Sequence, residues 1–105
     1  MDKLIPLPTM KEFIWDEFMK PLNISVKELS TAISIPESQI KDVFTGRAKV
    51  DADFSIRLGR YFSVSDDFFL NIQNDIDERA AKRKNSKIFN EIKPVRTNSD
   101  DISFA

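Results

Sequence analysis

Between Pro8 and Pro21 the chain repeats hydrophobic residues at helical intervals: Met10, Phe13, Ile14, Phe18 and Leu22 return every three or four positions. That stripe predicts a helix from about Thr9 to Lys20. Trp15 falls off the stripe and reads either as a flank of the core or as an exposed aromatic anchor for a partner. A second stripe, Val26, Leu29, Ala32 and Ile33, follows Ser25, whose side chain can cap a helix while Glu28 returns a bond to its backbone, the capping-box pattern. Small Ala32 would let the next helix cross closely. Ser34-Ile35-Pro36 forms the turn, with Pro36 tolerated because it opens a helix rather than interrupting one. Ile40, Val43 and Phe44 then face inward, leaving Glu37, Ser38, Gln39, Lys41, Asp42 and Thr45 on the other side. Gly46 is the expected stop, able to take the left-handed conformation just past a helix end.

Arg47 to Val50 is a short basic loop, and Asp51 is placed to cap a fourth helix lined by Ala52, Ile56, Gly59 and Phe62. Ser65 is the expected cap of a fifth, with Asp66 and Asp67 at the positive end of its dipole and Phe68, Phe69, Leu70, Ile72 and Ile76 along it to about Lys84. The expected organisation is therefore all-α. Residues 1–8 form a flexible N-terminal segment, 9–84 a five-helix domain, and 85–105 a mobile tail with an apolar patch at Ile88, Phe89, Ile92 and Val95. Phe68, Phe69 and Ile76 offer more apolar surface than one short helix needs for anchoring, so with the tail patch they are the expected dimer surface.

Composition narrows the chemistry. A chain of 105 residues, 41% hydrophobic with nine Phe, supports one modest helical core. No apolar run is long enough for a bilayer, and Met1 to Pro8 is too short for a leader, so a soluble, cytoplasmic protein is expected. The absence of Cys and His removes disulfides, thiolate metal sites and imidazole acid–base chemistry. No catalytic set, metal site, cofactor or small-molecule substrate is expected. A hydrolase finds the least support: Asp66 and Asp67 point in different directions on a helix and lack a nucleophile beside them.

The net charge of −1 conceals a partition: two Arg against seven acids in 51–78, then seven basic residues against one acid in 79–96. Such a chain can offer separate faces to a basic protein and to phosphate, or simply ordinary solvated helix surface.

Two short helices joined by a tight turn, from Ser25 to Gly46, have the layout of a helix-turn-helix that reads DNA. Gln39 and Lys41 are the candidates for base edges, with Ser38 and Asp42 beside them, since Gln pairs with adenine, Lys donates to guanine and Asp accepts from cytosine. Ser25, Lys27, Thr45, Arg47 and Lys49 are the candidates for the phosphate backbone. The competing reading makes Gln39, Lys41 and Asp42 the solvated face of an amphipathic helix. Only four basic residues lie in 25–50, so tight binding calls for a homodimer on two half-sites.

With five helices in place, the order of signals over about residues 7–80 resembles the HigA/VapI family of antitoxins, in modules with RelE-like toxins. The resemblance rests on Ser65-Asp66-Asp67-Phe68-Phe69-Leu70-Asn71-Ile72-Gln73 followed by Asp77, with support from Pro8, Glu17 to Leu22, Thr45-Gly46-Arg47, Ala52-Asp53 and Arg57-Leu58. It implies a lambda-repressor-like domain, operator DNA as one partner and a RelE/HigB-like messenger-RNA endonuclease toxin as another. The acidic 51–78 segment and apolar Leu4, Ile5 and Leu7 are the expected toxin contacts. Ser34 stands where the family has Gly, and Pro36 where it opens the recognition helix with Ser or Thr. A stand-alone regulator of the phage-repressor type, or an antitoxin whose DNA binding has decayed, are the alternatives.

Overall fold

A computed structural model describes residues 7–95, and among them every regular element is a helix: α1 (Glu12–Met19), α2 (Val26–Ile33), α3 (Glu37–Phe44), α4 (Ala52–Phe62) and α5 (Phe68–Glu91). The five helices appear in the expected order. None is long and apolar enough to cross a membrane.

Thr9 and Glu12 open the first helix with a capping box of their own: the Thr9 amide donates to Glu12 Oε1 at 2.8 Å, and the Glu12 amide to Thr9 Oγ1 at 3.2 Å. From Glu12 the winding is that of a π-helix, closed by the Lys20 amide on the Trp15 carbonyl at 2.7 Å. The wider turn brings Ile14 and Met19, five apart, nearly into line, and both are fully buried; Leu22, past the helix end and Pro21, is 62% exposed. The stripe expected from a 3.6-residue period therefore holds at Met10 and Ile14 and fails at Leu22.

Ser25 and Glu28 make the expected capping box, at 3.0 and 2.9 Å. Helix α2 ends on Ser34, whose φ of 58° and ψ of 45° are left-handed, a conformation costing a side-chain-bearing residue roughly 1–2 kcal/mol. Neighbours hold it there. The Ser30 hydroxyl donates to the Ile35 carbonyl at 2.6 Å, and the Arg57 guanidinium donates to the carbonyls of Ile33 and Ser34 at 2.9 and 3.0 Å. Arg57 is itself steadied by Asp53 one turn earlier, at 2.8 Å. The Gly-to-Ser departure is thus accommodated by an arginine from α4.

Close backbone approach falls at Gly59, where the α4–α5 turn folds back on the helix, and not at Ala32, which is exposed. A Cβ on Gly59 would stand 2.5 Å from the Ser65 carbonyl oxygen, a backbone atom that cannot step aside. Gly59→Ala is accordingly expected to cost about 1–3 kcal/mol, and a thermal melt followed by circular dichroism should show a midpoint lower by at least about 4 °C.

Asp51 caps α4 as expected, accepting from the Phe54 amide at 2.9 Å. The buried face of that helix is Phe54, Ser55, Leu58 and Gly59; Ala52 and Ile56 are exposed. Phe54 and Leu58, one turn apart, set the observed face, and polar Ser55 beside them takes over the capping assigned to Ser65. Its Oγ accepts from the Leu70 amide at 2.9 Å and donates to the Asp66 carbonyl at 2.7 Å. Ser65 instead donates to Asp67 Oδ1 at 3.0 Å.

Helix α5 continues to Glu91 instead of ending near Lys84, with Asn85 kinked out of helical geometry at φ −126°, ψ 25°. Residues 85–91 are helical, which corrects the expected tail boundary. Phe18 draws α1, α4 and α5 together through Phe62 at 5.0 Å and Phe69 at 5.2 Å. Phe69 is fully buried and cannot be part of the expected dimer surface, while Phe68 and Ile76 are partly covered. The exposed apolar residues of α5 and its end are Ile88, Phe89, Ile92 and Val95.

Candidate nucleic-acid interface

The interface is built on the rotation of α3. Ile40 and Val43 are buried and Phe44 is partly buried, so at 100° per residue the opposite crest carries Ser38, Asp42 and Thr45, with Gln39 and Lys41 on its flanks. Of the nine candidate DNA contacts, Asp42 is half-buried, whereas Ser25, Lys27, Ser38, Gln39, Lys41, Thr45, Arg47 and Lys49 are exposed. Exposure alone does not separate base reading from a solvated face, but the crest is short-chained and polar, as close approach to a groove requires.

Pro36 lets α3 begin without a side-chain cap: its carbonyl accepts from the amides of Gln39 and Ile40 at 3.0 and 3.2 Å. At the other end Asp42 organises the basic loop through its backbone. Its carbonyl accepts from the amides of Arg47 and Ala48 at 2.8 and 3.1 Å and from the Thr45 hydroxyl at 3.3 Å. Gly46, at φ 81°, makes the expected left-handed turn. The capping box on α2 occupies the amides of Ser25 and Glu28, so Val26 and Lys27 retain the open donors of that first turn.

Beyond the loop, Lys49 pairs with Asp77 at 3.2 Å. Gln73, buried beneath it, accepts from the Val50 amide at 2.9 Å and donates to Asp77 Oδ1 at 3.1 Å. Gln73 and Asp77 therefore moor the loop that carries Arg47 and Lys49 to α5. The sequence marks both residues within the Leu70 to Asp77 signature, at the i, i+4 spacing that lets them meet. Ser55 and Arg57 carry no comparable sequence signal for the roles they play.

The acidic 51–78 segment is largely neutralised in place, through Asp53–Arg57, Asp66–Arg60, Asp75–Arg79, Asp77–Lys49 and Glu78–Lys82. Hydrogen bonding to Arg60, bidentate at 2.8 and 3.0 Å, holds the Asp66 carboxyl below its ordinary value, and the Lys82 hydrogen bond does the same for Glu78. Depressed carboxyls of this kind support the fold above their ordinary pKa and lose that contribution as pH falls through the lowered value. Both pairs lie at the surface and are correspondingly weak.

Of the expected toxin contacts, Leu4 and Ile5 lie outside the described residues. Leu7 is half-buried and lines a groove of about 340 Å³ with Met10, Phe44 and Ile76. Among the described residues no cluster of three potential metal ligands occurs.

No protein-family model matches the sequence. The chain is 29% identical over 91 residues to virulence-associated protein I of Dichelobacter nodosus, covering 87% of this chain and 83% of that protein. Its fold matches the Pseudomonas aeruginosa antitoxin HigA, solved with the higBA promoter, at a TM-score of 0.77 and 32% identity, over 87% of this chain and all of that one. A HigA-family addiction module antidote protein from Coxiella burnetii matches at a TM-score of 0.76 and 25% identity, over 86% of this chain and 99% of that one. The long reach of these alignments, together with the capped α2, the α3 crest and the Gln73–Asp77 mooring, establishes that the chain belongs to the HigA/VapI family of helix-turn-helix antitoxins.

Proposed function

We propose that this chain is the antitoxin of a two-gene module, that as a homodimer it reads operator DNA with α3 to repress its own operon, and that it neutralises a RelE-like messenger-RNA endonuclease by direct contact. The observation that carries the DNA half is the α3 crest: Ser38, Gln39, Lys41 and Thr45 are exposed around half-buried Asp42, between the capped start of α2 and the moored loop with Arg47 and Lys49. The HigA relative solved with promoter DNA supports the same reading. Two half-sites about one helical turn apart would match a dimer joined through the exposed Ile88, Phe89 and Ile92. A monomer by light scattering at micromolar concentration would overturn that surface.

Titration of a duplex from immediately upstream of the gene, against a scrambled duplex at two salt concentrations, tests the DNA reading. Preferential, salt-dependent binding is expected. Lys41→Ala should weaken the preferred duplex about tenfold and the scrambled one much less, as loss of a base contact does. Arg47→Ala should weaken both alike and lower the salt slope by about one unit. Equal weak binding to both duplexes would overturn the DNA reading and leave toxin neutralisation, which co-purification with the product of the adjacent gene tests.

A further inference from the structure

Helix α1 lies outside the helix-turn-helix, yet it sets Lys11 and Trp15 against the recognition helix. They border an open groove of about 470 Å³ whose other walls are Val26, Lys41, Phe44 and Thr45. No carboxylate lines it. Its floor is apolar and its rim carries two ammonium groups, neither of them in an ion pair among the described residues. Trp15 is half-buried, its indole N–H has no hydrogen-bond partner among the described residues, and no buried side-chain nitrogen or oxygen there is left unpartnered. The N–H therefore reaches water. The groove is continuous with the α3 crest through Lys41 and Thr45.

We propose that this groove seats a sugar–phosphate unit of the DNA backbone, with Lys11 and the Trp15 indole N–H holding the phosphate and the faces of Trp15, Val26 and Phe44 receiving the deoxyribose. The inference rests on the DNA reading proposed above and extends its interface to α1. Ammonium and indole donors with no carboxylate beside them select an anion, and an apolar floor selects one that carries a sugar face rather than a free ion. Lys41 sits where the groove meets the crest, so a phosphate seated here fixes the depth at which α3 enters the major groove.

Trp15 is the only tryptophan in the chain, so its fluorescence reports this groove alone. Binding of a fluorescein-labelled duplex from upstream of the gene is followed by anisotropy while indole emission and its quenching by iodide are recorded at matched ionic strength. Expected are a changed emission maximum and iodide quenching reduced at least about twofold on saturation, a salt slope about one unit smaller for Lys11→Ala, and duplex affinity about fivefold to tenfold weaker for Trp15→Phe. Lys11 is exposed, so its variant reads the site without disturbing the core. Preferential duplex binding with unchanged indole emission and quenching, and an unchanged slope for Lys11→Ala, would overturn the groove assignment and leave the DNA reading standing. Absence of any preference for the upstream duplex would overturn both.

Discussion

Replacing Ser55 with Ala is expected to destabilise the fold by about 2–4 kcal/mol, more than any other change of a single small side chain considered above. The hydroxyl is fully buried and works in both directions, accepting from the Leu70 amide at 2.9 Å and donating to the Asp66 carbonyl at 2.7 Å. Alanine fits the space but leaves the Leu70 amide, in the first turn of α5, and the Asp66 carbonyl without their partner. Each such group costs roughly 1–3 kcal/mol when water cannot replace what was lost. No side chain of the α4–α5 turn can substitute, because Asp67 makes no cap bond and Ser65 is turned toward Asp67. Urea denaturation followed by circular dichroism measures it: a midpoint lower by about 1–2 M is expected, given slopes of 1–3 kcal/mol per molar for small domains. A midpoint within about 0.2 M of the parent would show that water reaches the site and that Ser55 is no keystone.

The residues that sequence reading located well are those whose signal is local. Ser25 with Glu28, Asp51 and Gly46 act within three or four positions of themselves, and each does in the fold what its spacing implies. The stripe Ile40, Val43 and Phe44 fixes the rotation of α3 for the same reason. What was not legible depends on partners far along the chain. Ser55 looks like a surface residue interrupting a helix face until Leu70 is brought beside it, while buried Phe54 and Leu58, one turn apart, set the face away from Ala52 and Ile56. Arg57 counts toward the family resemblance, but nothing in its neighbourhood in the sequence tells that it closes the turn at Ser34, 23 residues earlier. The first helix departs for a different reason: a stripe counted at 3.6 residues cannot reveal π-helical winding, which buries Met19, a residue outside the expected stripe, while Leu22 falls beyond the helix end.

The same distinction separates the parts of the candidate interface. Exposure of Ser38, Gln39, Lys41 and Thr45 follows from the α3 pattern alone, while the posture of Arg47 and Lys49 depends on α5 through Gln73 and Asp77. The signature that resembles the family most closely therefore serves the basic loop from behind. It also explains how a chain with few basic residues can present them: they are held in place rather than multiplied.

Gln73→Leu should accordingly lower both stability and duplex affinity. Leucine has about the volume of glutamine, so the buried space stays filled, but the Val50 amide loses its acceptor and Asp77 its amide donor. A cost of about 1–3 kcal/mol is expected, with Arg47 and Lys49 released from their posture and the affinities for the upstream and a scrambled duplex falling alike, as loss of phosphate contacts does. Gln73→Glu separates the two contributions. Its carboxylate can still accept from Val50, yet it stands about 3 Å from Asp77, where two negative charges disfavour each other and one carboxyl pKa is raised. A raised folded-state pKa means a penalty present at neutral pH and relieved as pH falls through that value, so the Glu variant should approach the parent's urea midpoint between about pH 7 and pH 5 while the Leu variant does not. Parallel behaviour of the two variants across that interval would mean that the Val50 bond and the Asp77 contact do not act as one unit.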